Sequence, residues 1–218
     1  MLRDYHPHSD RDIVFIPVGI NYDRVIEDRS LIRRLDKSAE KRSAWFVLKT
    51  TVGFIFKNAL LSRKNRWRRF GYASVNFGEP ISARRYCEQR AVDFSMLNKE
   101  ERFSQVEALA KSIQKNISDV LPVVPVALMS EVLLQNMQEW KSELEIKTQC
   151  SRRIQQLAAA GAPIDISSSA LENVLGSALD ALRGRGLIDE EDNLFRMKAS
   201  EEDLFRYYAN SIVHWQKQ

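Results

Sequence analysis

The apolar positions of this chain first form a continuous run near its start, from Ile13 to Ile20. The run has the length of a strand, is rich in β-branched residues and is closed by the polar Asn21. Such an unbroken run is typical of a strand buried on both faces of an α/β sheet. Pro17 lies inside it and lacks the N–H that a central ladder needs. The pattern therefore predicts a buried strand whose regular pairing breaks at Pro17 by a bulge or a bend.

Two further segments predict elements of the same sheet layer. Residues 24–41 have the spacing of a basic helix or helix-loop, and residues 72–77 alternate roughly between apolar and polar positions, as a short strand does. Gly78 and Pro80 end this strand. We expect it to pair beside the Ile13–Ile20 strand, which predicts the α/β class with flanking helices.

The rest of the chain has mainly helical periodicity. Asn98 and Glu101 have the spacing of a capping box and predict the start of a helix that stops near Pro122. A second proline at Pro125 makes this step the clearest boundary in the sequence. Beyond it, residues 126–161 predict one or two helices. We therefore expect two domains, the C-terminal part of an α/β domain and a helical lobe, at residues 1–121 and 122–218.

The end of the helical lobe has its own pattern. Ser169 and Glu172 predict a capped helix. The core positions of this helix follow helical spacing without interruption: Leu171, Val174, Leu175, Ala178, Leu179 and Leu182. An acidic turn between apolar pairs predicts a hairpin over residues 187–195, and Ser200 is expected to cap a final helix that reaches Trp215. A helix followed by such a hairpin resembles a winged helix.

A winged helix often binds DNA through a basic recognition helix, and this possibility is a rival function for the lobe. The corresponding helix here carries Glu172 and Asp180, and the tip of the hairpin, Asp189–Asp192, is entirely acidic. These charges repel phosphate. We therefore expect a packing or protein-contact role for the lobe and no nucleic-acid partner.

Charge is distributed unevenly along the chain, although the net charge is only +4. Residues 1–90 hold 19 Lys and Arg against 10 Asp and Glu, whereas residues 91–218 hold 14 against 19. A basic first part indicates an anionic partner, which leaves a phosphate ligand, an anionic lipid surface or nucleic acid open.

Aromatic and basic residues follow one another within residues 44–69, as in a helix that lies in a membrane interface. Lys49 and Lys57 argue against a membrane span, and no apolar run is long enough for one. The alternative is a core helix followed by an exposed basic loop. The predicted membrane contacts are Trp45, Phe46, Phe54, Phe56, Arg63, Lys64, Arg66, Trp67, Arg68 and Arg69.

The sequence offers no metal or cofactor chemistry. Cys87 and Cys150 have neither metal-ligand spacing nor the pattern of a disulfide framework, which favours a reducing compartment. His6 and His8 lie in a polar terminal segment without an apolar signal-peptide core, and His214 is isolated. We expect no cofactor, no metal and no catalytic histidine cluster.

Three stretches resemble one enzyme family. Residues 12–25 (DIVFIPVGINYDRV) resemble the fourth conserved block of the glycerolipid acyltransferases, and within them the membrane-bound glycerol-3-phosphate acyltransferases of bacteria. Residues 71–81 (GYASVNFGEPI) and 204–212 (LFRYYANSI) agree with the same family, in the same order. The family's earlier motifs, including a catalytic His-x4-Asp pair, do not occur, because His6–Asp10 and His8–Asp12 are each one residue too short.

The resemblance implies the C-terminal portion of a glycerol-3-phosphate acyltransferase. In the family, a fatty acyl group moves from a thioester of CoA or acyl carrier protein to the first hydroxyl of glycerol 3-phosphate, with the paired histidine as general base. The family's fourth-block proline corresponds to Pro17, which is expected to shape the substrate site, and Tyr22 and Arg24 are candidates for its mouth. The resemblance also implies a peripheral position on the cytoplasmic side of the inner membrane.

Two readings of the function remain open at this point. The first is part of a phospholipid-synthesis enzyme that needs a further N-terminal portion for activity. The alternative is a non-catalytic protein, derived from an acyltransferase, that binds a membrane or a partner. In both cases we expect the isolated chain to be inactive, because a hydroxyl without a positioned base is a poor nucleophile near neutral pH.

Overall fold

A computed structural model describes Leu2, Arg3 and residues 5–35, 52 and 71–216, and combines helices with small sheets. The α/β class predicted from the sequence agrees with this mixture. Its strands are β1 (Val14–Phe15), β2 (Val18–Tyr22), β3 (Ala73–Phe77), β4 (Ile81–Ser82), β5 (Lys141–Ser142), β6 (Ile188–Glu191) and β7 (Leu194–Met197). Its helices are α1 (Asp28–Leu35), α2 (Ala83–Arg90), α3 (Lys99–Asp119), α4 (Pro125–Gln135), α5 (Glu143–Ala159), α6 (Leu171–Gly184) and α7 (Glu202–Ala209).

The described strands form three small sheets. β1 pairs with β4, β2 pairs with β3, and a three-stranded sheet has the order β5-β7-β6. The chain divides into two compact units, the first made of residues 1–21 and 75–122 and the second of residues 22–74 and 123–218. The predicted division into domains after residue 121 remains a prediction.

The apolar run near the start is interrupted at Pro17, as predicted. β1 ends before the proline and β2 begins after it, and the Pro17 carbonyl accepts a hydrogen bond of 2.8 Å from the N–H of Gly78. The prediction of burial on both faces is wrong, since Val14, Ile16 and Ile20 are each about half exposed. The reason is that β1 and β2 lie in separate two-stranded sheets, each with an open face in the described part of the chain.

Helix α3 begins with the predicted capping box. Asn98 Oδ1 accepts the N–H of Glu101 at 3.0 Å, and Glu101 Oε2 accepts the N–H of Asn98 at 3.2 Å. These reciprocal bonds satisfy two N–H groups at the helix start. The core of the first unit consists of Tyr5, Ala83, Tyr86, Cys87, Phe94 and Leu109.

Helix α4 is the centre of the second unit. Its residues from Pro125 to Leu133 are all buried, including Ser130 and Glu131. It packs against α5, α6 and α7, which explains why its apolar residues do not follow a single stripe. The buried carboxylate of Glu131 accepts a hydrogen bond of 2.9 Å from Nε of Arg153.

The hairpin of the second unit is confirmed, and two predicted helix caps are wrong. β6 and β7 pair antiparallel around Asp192 and Asn193, which both have positive φ, as tight hairpins require. Ser169 lies in a turn before α6 and Ser200 in a 3₁₀ turn before α7, and neither helix has a side-chain cap. The final helix is also shorter than predicted, because α7 ends at Ala209.

Candidate functional site

Asp12, the first residue of the fourth-block stretch, organises the start of β1. Its Oδ1 accepts hydrogen bonds from the Tyr5 hydroxyl at 2.8 Å and the Arg84 N–H at 3.0 Å, and its Oδ2 accepts the Ser82 hydroxyl at 2.5 Å. Ser82 in turn caps α2 by accepting the N–H of Arg85. Although burial raises the pKa of Asp12, these hydrogen bonds outweigh it and lower that pKa to about 2. The ionised carboxylate therefore holds the strand against the start of α2.

The inner face of the β2–β3 sheet is built from small residues. A Cβ atom on Gly19 would lie 2.5 Å from the Val120 carbonyl oxygen, so the strand lies directly against the chain that follows α3. Gly78 lies against side chains, since a Cβ there would be 3.1 Å from Cγ1 of Val120 and 3.2 Å from Cβ of Pro17. Nδ2 of Asn21 donates a 2.9 Å hydrogen bond to the Pro122 carbonyl. Backbone contact on this face therefore requires glycine at position 19.

Two hydrogen bonds fix the register of β2 and β3. The Gly78 N–H donates to the Pro17 carbonyl at one end of the pair, and the Asp23 N–H donates to the Tyr72 carbonyl at 2.8 Å at the other end. The strands therefore run antiparallel. In this register Ile20 lies opposite Val75, and Val18 lies opposite Phe77.

The outer face of this sheet is apolar and open. Ile20, Val75 and Phe77, here called the β2–β3 face, are 46%, 48% and 72% exposed. Asn76, which alternates with them, lies on the opposite face and is half-buried. An antiparallel sheet that faces water normally has the reverse arrangement, with polar residues outward. Clustered exposed apolar side chains of this kind mark a contact surface.

Asp23 links the end of the fourth-block stretch to the central helix of the second unit. Its Oδ1 accepts the N–H of Val126 at 2.8 Å, and its Oδ2 accepts the N–H of Tyr72 at 2.9 Å. The residue at the N-cap of α4, Val124, provides no side-chain cap, so Asp23 supplies one from a distant part of the sequence. Gly71, at φ +67°, leaves room for it, since a Cβ there would lie 2.5 Å from the Asp23 Cβ.

Burial raises the pKa of Asp23 to about 6, against the two N–H donors, which lower it. Sequence reasoning missed this residue. A signal was available, because α4 begins at Val-Val-Pro, without Ser, Thr, Asp or Asn at its N-cap. A buried helix start of that kind needs an acceptor from elsewhere in the chain.

A second buried carboxylate joins α1 to the end of the chain. Asp28 forms an ion pair with Arg185 and accepts the Tyr208 hydroxyl at 2.5 Å. The same hydroxyl accepts the N–H of Val25 at 3.2 Å, and burial raises the pKa of Tyr208 to about 12. Tyr208 belongs to the 204–212 stretch that resembles the acyltransferases. Its geometry assigns that stretch a stabilising role in the second unit.

The predicted substrate residues differ in their surroundings. Pro17 is buried, Arg24 is half-buried and Tyr22 is exposed. The described linings of the cavity beside Phe103 and of the cavity beside Tyr207 include none of these three residues. Their assignment to a substrate site therefore remains a proposal. The ten predicted membrane contacts, from Trp45 to Arg69, lie outside the described residues.

The described residues contain no group of three His, Cys, Asp or Glu side chains placed to hold a metal ion. One histidine lies beside a serine and an aspartate in the first unit. The Ser95 hydroxyl donates to Asp93 Oδ1 at 2.6 Å and lies 3.0 Å from Nδ1 of His6. The carboxylate thus binds the serine instead of orienting the imidazole from its second nitrogen, which is not the order that activates a nucleophile.

None of the helices in the ranges that the structure describes is long and apolar enough to cross a bilayer.

Comparisons with a family model and with curated proteins point to the same family. The family model described as the glycerol-3-phosphate acyltransferase C-terminal region matches residues 57–216, more than half of the chain. A glycerol-3-phosphate acyltransferase of Pseudomonas aeruginosa (strain LESB58) is 27% identical over 230 residues, which cover 98% of this chain and 25% of the relative. A protein of the same name from Haemophilus influenzae (strain PittEE) is 29% identical over 222 residues, covering 95% of this chain and 25% of the relative. The chain spans about a quarter of the length of the curated relatives it matches.

Proposed function

Because this chain belongs to the family of glycerol-3-phosphate acyltransferase C-terminal regions, we propose that it is part of a glycerol-3-phosphate 1-O-acyltransferase of phospholipid synthesis. The reaction transfers a fatty acyl group from acyl-CoA or acyl carrier protein to the first hydroxyl of glycerol 3-phosphate. This chain contributes structure to the active domain, and its sequence contains no His-x4-Asp pair to act as the base.

The observation that carries the proposal is the apolar β2–β3 face. Its three side chains, Ile20, Val75 and Phe77, lie on the side of the sheet away from the Val120 segment. Removing such side chains from water is favourable by about 25 cal/mol per Å² of apolar surface. The curated relatives are about four times as long as the matched region, since that region covers 25% of their length. We propose that an N-terminal acyltransferase portion covers this face.

The roles proposed for the predicted substrate residues follow from position and charge. Pro17 ends one strand pairing, and its carbonyl is held by Gly78, so the chain has a fixed bend where the fourth-block stretch changes sheets. This bend would form a wall of the substrate site. Arg24 would attract the phosphate of glycerol 3-phosphate, because a guanidinium matches phosphate geometry, and Tyr22 would line the mouth beside it.

The membrane proposal rests on residues 44–69. Aromatic side chains would enter the interface while the basic cluster from Arg63 to Arg69 lies among anionic head groups. This arrangement would hold the chain peripherally on the cytoplasmic side of the inner membrane.

The order of elements in the second unit supports a winged-helix-like lobe. α4, β5, α5, α6, β6 and β7 follow one another, and the sheet order is β5-β7-β6. The exposed side of α6 carries Glu172 and Asp180, and the hairpin tip adds Glu191 and Asp192. Because these charges repel nucleic acid, we propose that the lobe contacts protein.

Acyl transfer by two proteins tests the proposed function. The first is the isolated chain, and the second is a chimera in which this chain replaces the matched C-terminal quarter of the Pseudomonas aeruginosa relative. We expect acylation of glycerol 3-phosphate by the chimera alone, since a positioned general base contributes about 10²–10⁴-fold. Acyl transfer by the isolated chain that is lost in His6→Ala or His8→Ala would contradict the proposal. A folded chimera without activity would favour the non-catalytic alternative.

A further inference from the structure

The first unit contains a cavity away from the β2–β3 face. Its volume is about 610 Å³, within the range of about 300–1,000 Å³ that is usual for small-molecule sites. Its apolar walls come from Leu2, from Phe15 of β1, and from Phe103 and Val106, which lie one turn apart on α3. Phe103 is 67% exposed and stands at the edge of this wall. The described lining on α3 runs from Lys99 to Val106, about 10 Å at the helical rise of about 1.5 Å per residue.

The remaining described residues that line the cavity are all cationic. Arg3, Lys99 and Arg102 contribute positive charge, and no Asp or Glu is among the described lining residues. Lys99 and Phe103 lie at i and i+4 of α3, so the charge and the apolar wall share one helix face.

Among the described residues, no carboxylate pairs with the cations of the cavity. Arg102 donates through Nε to the Phe94 carbonyl at 3.0 Å and through Nη2 to the Leu97 carbonyl at 2.5 Å, which are both neutral acceptors. Among the described residues, Arg3 and Lys99 form no ion pair. Arg102 is thus held in place with its charge available, while two further cations stand beside it.

We propose that this cavity binds a single-chain anionic amphiphile, a molecule with one alkyl chain and a phosphate or carboxylate head. The chain would lie against Phe15, Phe103 and Val106, and the head would meet the cations at the edge. Charge complementarity selects an anionic head over a neutral or cationic one. The described lining of the cavity shares no residue with the β2–β3 face. The product of the proposed reaction has one acyl chain and a phosphate head, so the natural ligand rests on the proposed function, whereas binding of such a molecule in the cavity does not.

Binding of soluble probes to the full chain tests this site. Dodecyl phosphate, below its micelle-forming concentration, is compared with inorganic phosphate and with the neutral dodecyl maltoside by isothermal titration calorimetry. We expect dodecyl phosphate to bind with one-to-one stoichiometry and at least tenfold more tightly than either of the other two. Phe103→Glu should lower the affinity for dodecyl phosphate at least tenfold. Lys99→Gln should lower that affinity several-fold without changing the affinity for dodecyl maltoside.

Two matched variants control for general effects. Met96→Glu changes an apolar side chain that is 83% exposed and does not line the cavity, and Lys115→Gln removes a lysine from the opposite end of α3. Both should bind dodecyl phosphate as the parent chain does. Equal affinity for the neutral and anionic probes, or an equal loss in Met96→Glu and Phe103→Glu, would overturn the proposal. Binding only to anionic vesicles and not to dodecyl phosphate would also overturn it, and would indicate a bilayer surface.

Discussion

The carboxylate of Asp23 caps α4 from another part of the chain, and the Asp23→Asn variant tests its contribution. The carboxylate accepts two N–H groups, one through each oxygen, from Val126 and Tyr72. Asparagine keeps one acceptor oxygen, and its amide nitrogen cannot accept the other N–H. The substitution therefore removes one hydrogen bond and one titrating group with little change in volume.

The size of the contribution that Asp23 makes to the free energy of unfolding follows from its pKa. Burial raises the pKa of Asp23 to about 6 from an ordinary value of 3.8, and this difference corresponds to at most about 3 kcal/mol. The folded state binds the proton more readily than the unfolded state, so the contribution to stability is fully present below the unfolded pKa. It is lost as the pH rises through about 6. Between pH 4 and pH 7, the stability of the parent relative to Asp23→Asn should fall by about 2 kcal/mol.

Urea unfolding at several pH values between about 4 and 7 measures this difference. Asp165→Asn is the matched control, because Asp165 is an exposed carboxyl group in the same unit. The free energy of unfolding of the control, relative to the parent, should show no comparable slope with pH. The reasoning would be refuted if the free energies of unfolding of the parent and of Asp23→Asn differed by the same amount at every pH in this range. It would also be refuted if an NMR titration gave the Asp23 carboxyl group a pKa at or below its ordinary value.

Three other variants test the structure and the membrane proposal. Gly19→Ala should lower the free energy of unfolding by about 1–3 kcal/mol, because its Cβ would press on a backbone carbonyl, while Gly184→Ala, with nothing within 4 Å, should be harmless. Tyr208→Phe should cost about 1–3 kcal/mol by thermal or urea unfolding, since buried Asp28 loses a hydrogen bond. Replacing the basic residues of segment 63–69 with glutamine should weaken the free energy of binding to anionic vesicles by about 1 kcal/mol for each charge removed. Co-sedimentation with anionic vesicles should fall accordingly, and co-sedimentation with neutral vesicles should not change.

Local signals explain the parts of the fold that could be predicted from the sequence. The break at Pro17 follows from a missing N–H, and the start of α3 follows from the paired side chains of Asn98 and Glu101. The hairpin follows from the acidic turn between two apolar pairs. Ser169 and Ser200 had the right residue type for caps, but both lie in turns that precede the helix by one or more residues. Residue type alone does not decide where the first helical hydrogen bond forms.

Long-range contacts account for the rest. Burial on both faces was predicted for the Ile13–Ile20 run because its apolar residues are continuous. Burial depends, however, on which strands lie beside it, and β1 and β2 each have one partner in the described ranges. Asp23 is separated from Val126 by more than a hundred positions, so the sequence around either residue does not identify the other as its hydrogen-bond partner. The fourth-block stretch could be recognised from its residues, whereas its hydrogen-bonding role could not.

The most direct test of the central claim is the activity of the chimera with a charge placed on the β2–β3 face. Phe77→Glu changes a side chain that is 72% exposed, and Met96→Glu, at 83% exposure in the same unit, is the control. Both isolated variants should fold as the parent does. If an N-terminal acyltransferase portion covers this face, Phe77→Glu should reduce acyl transfer by the chimera at least tenfold, while Met96→Glu should leave it unchanged. Full activity in the Phe77→Glu chimera would contradict the account.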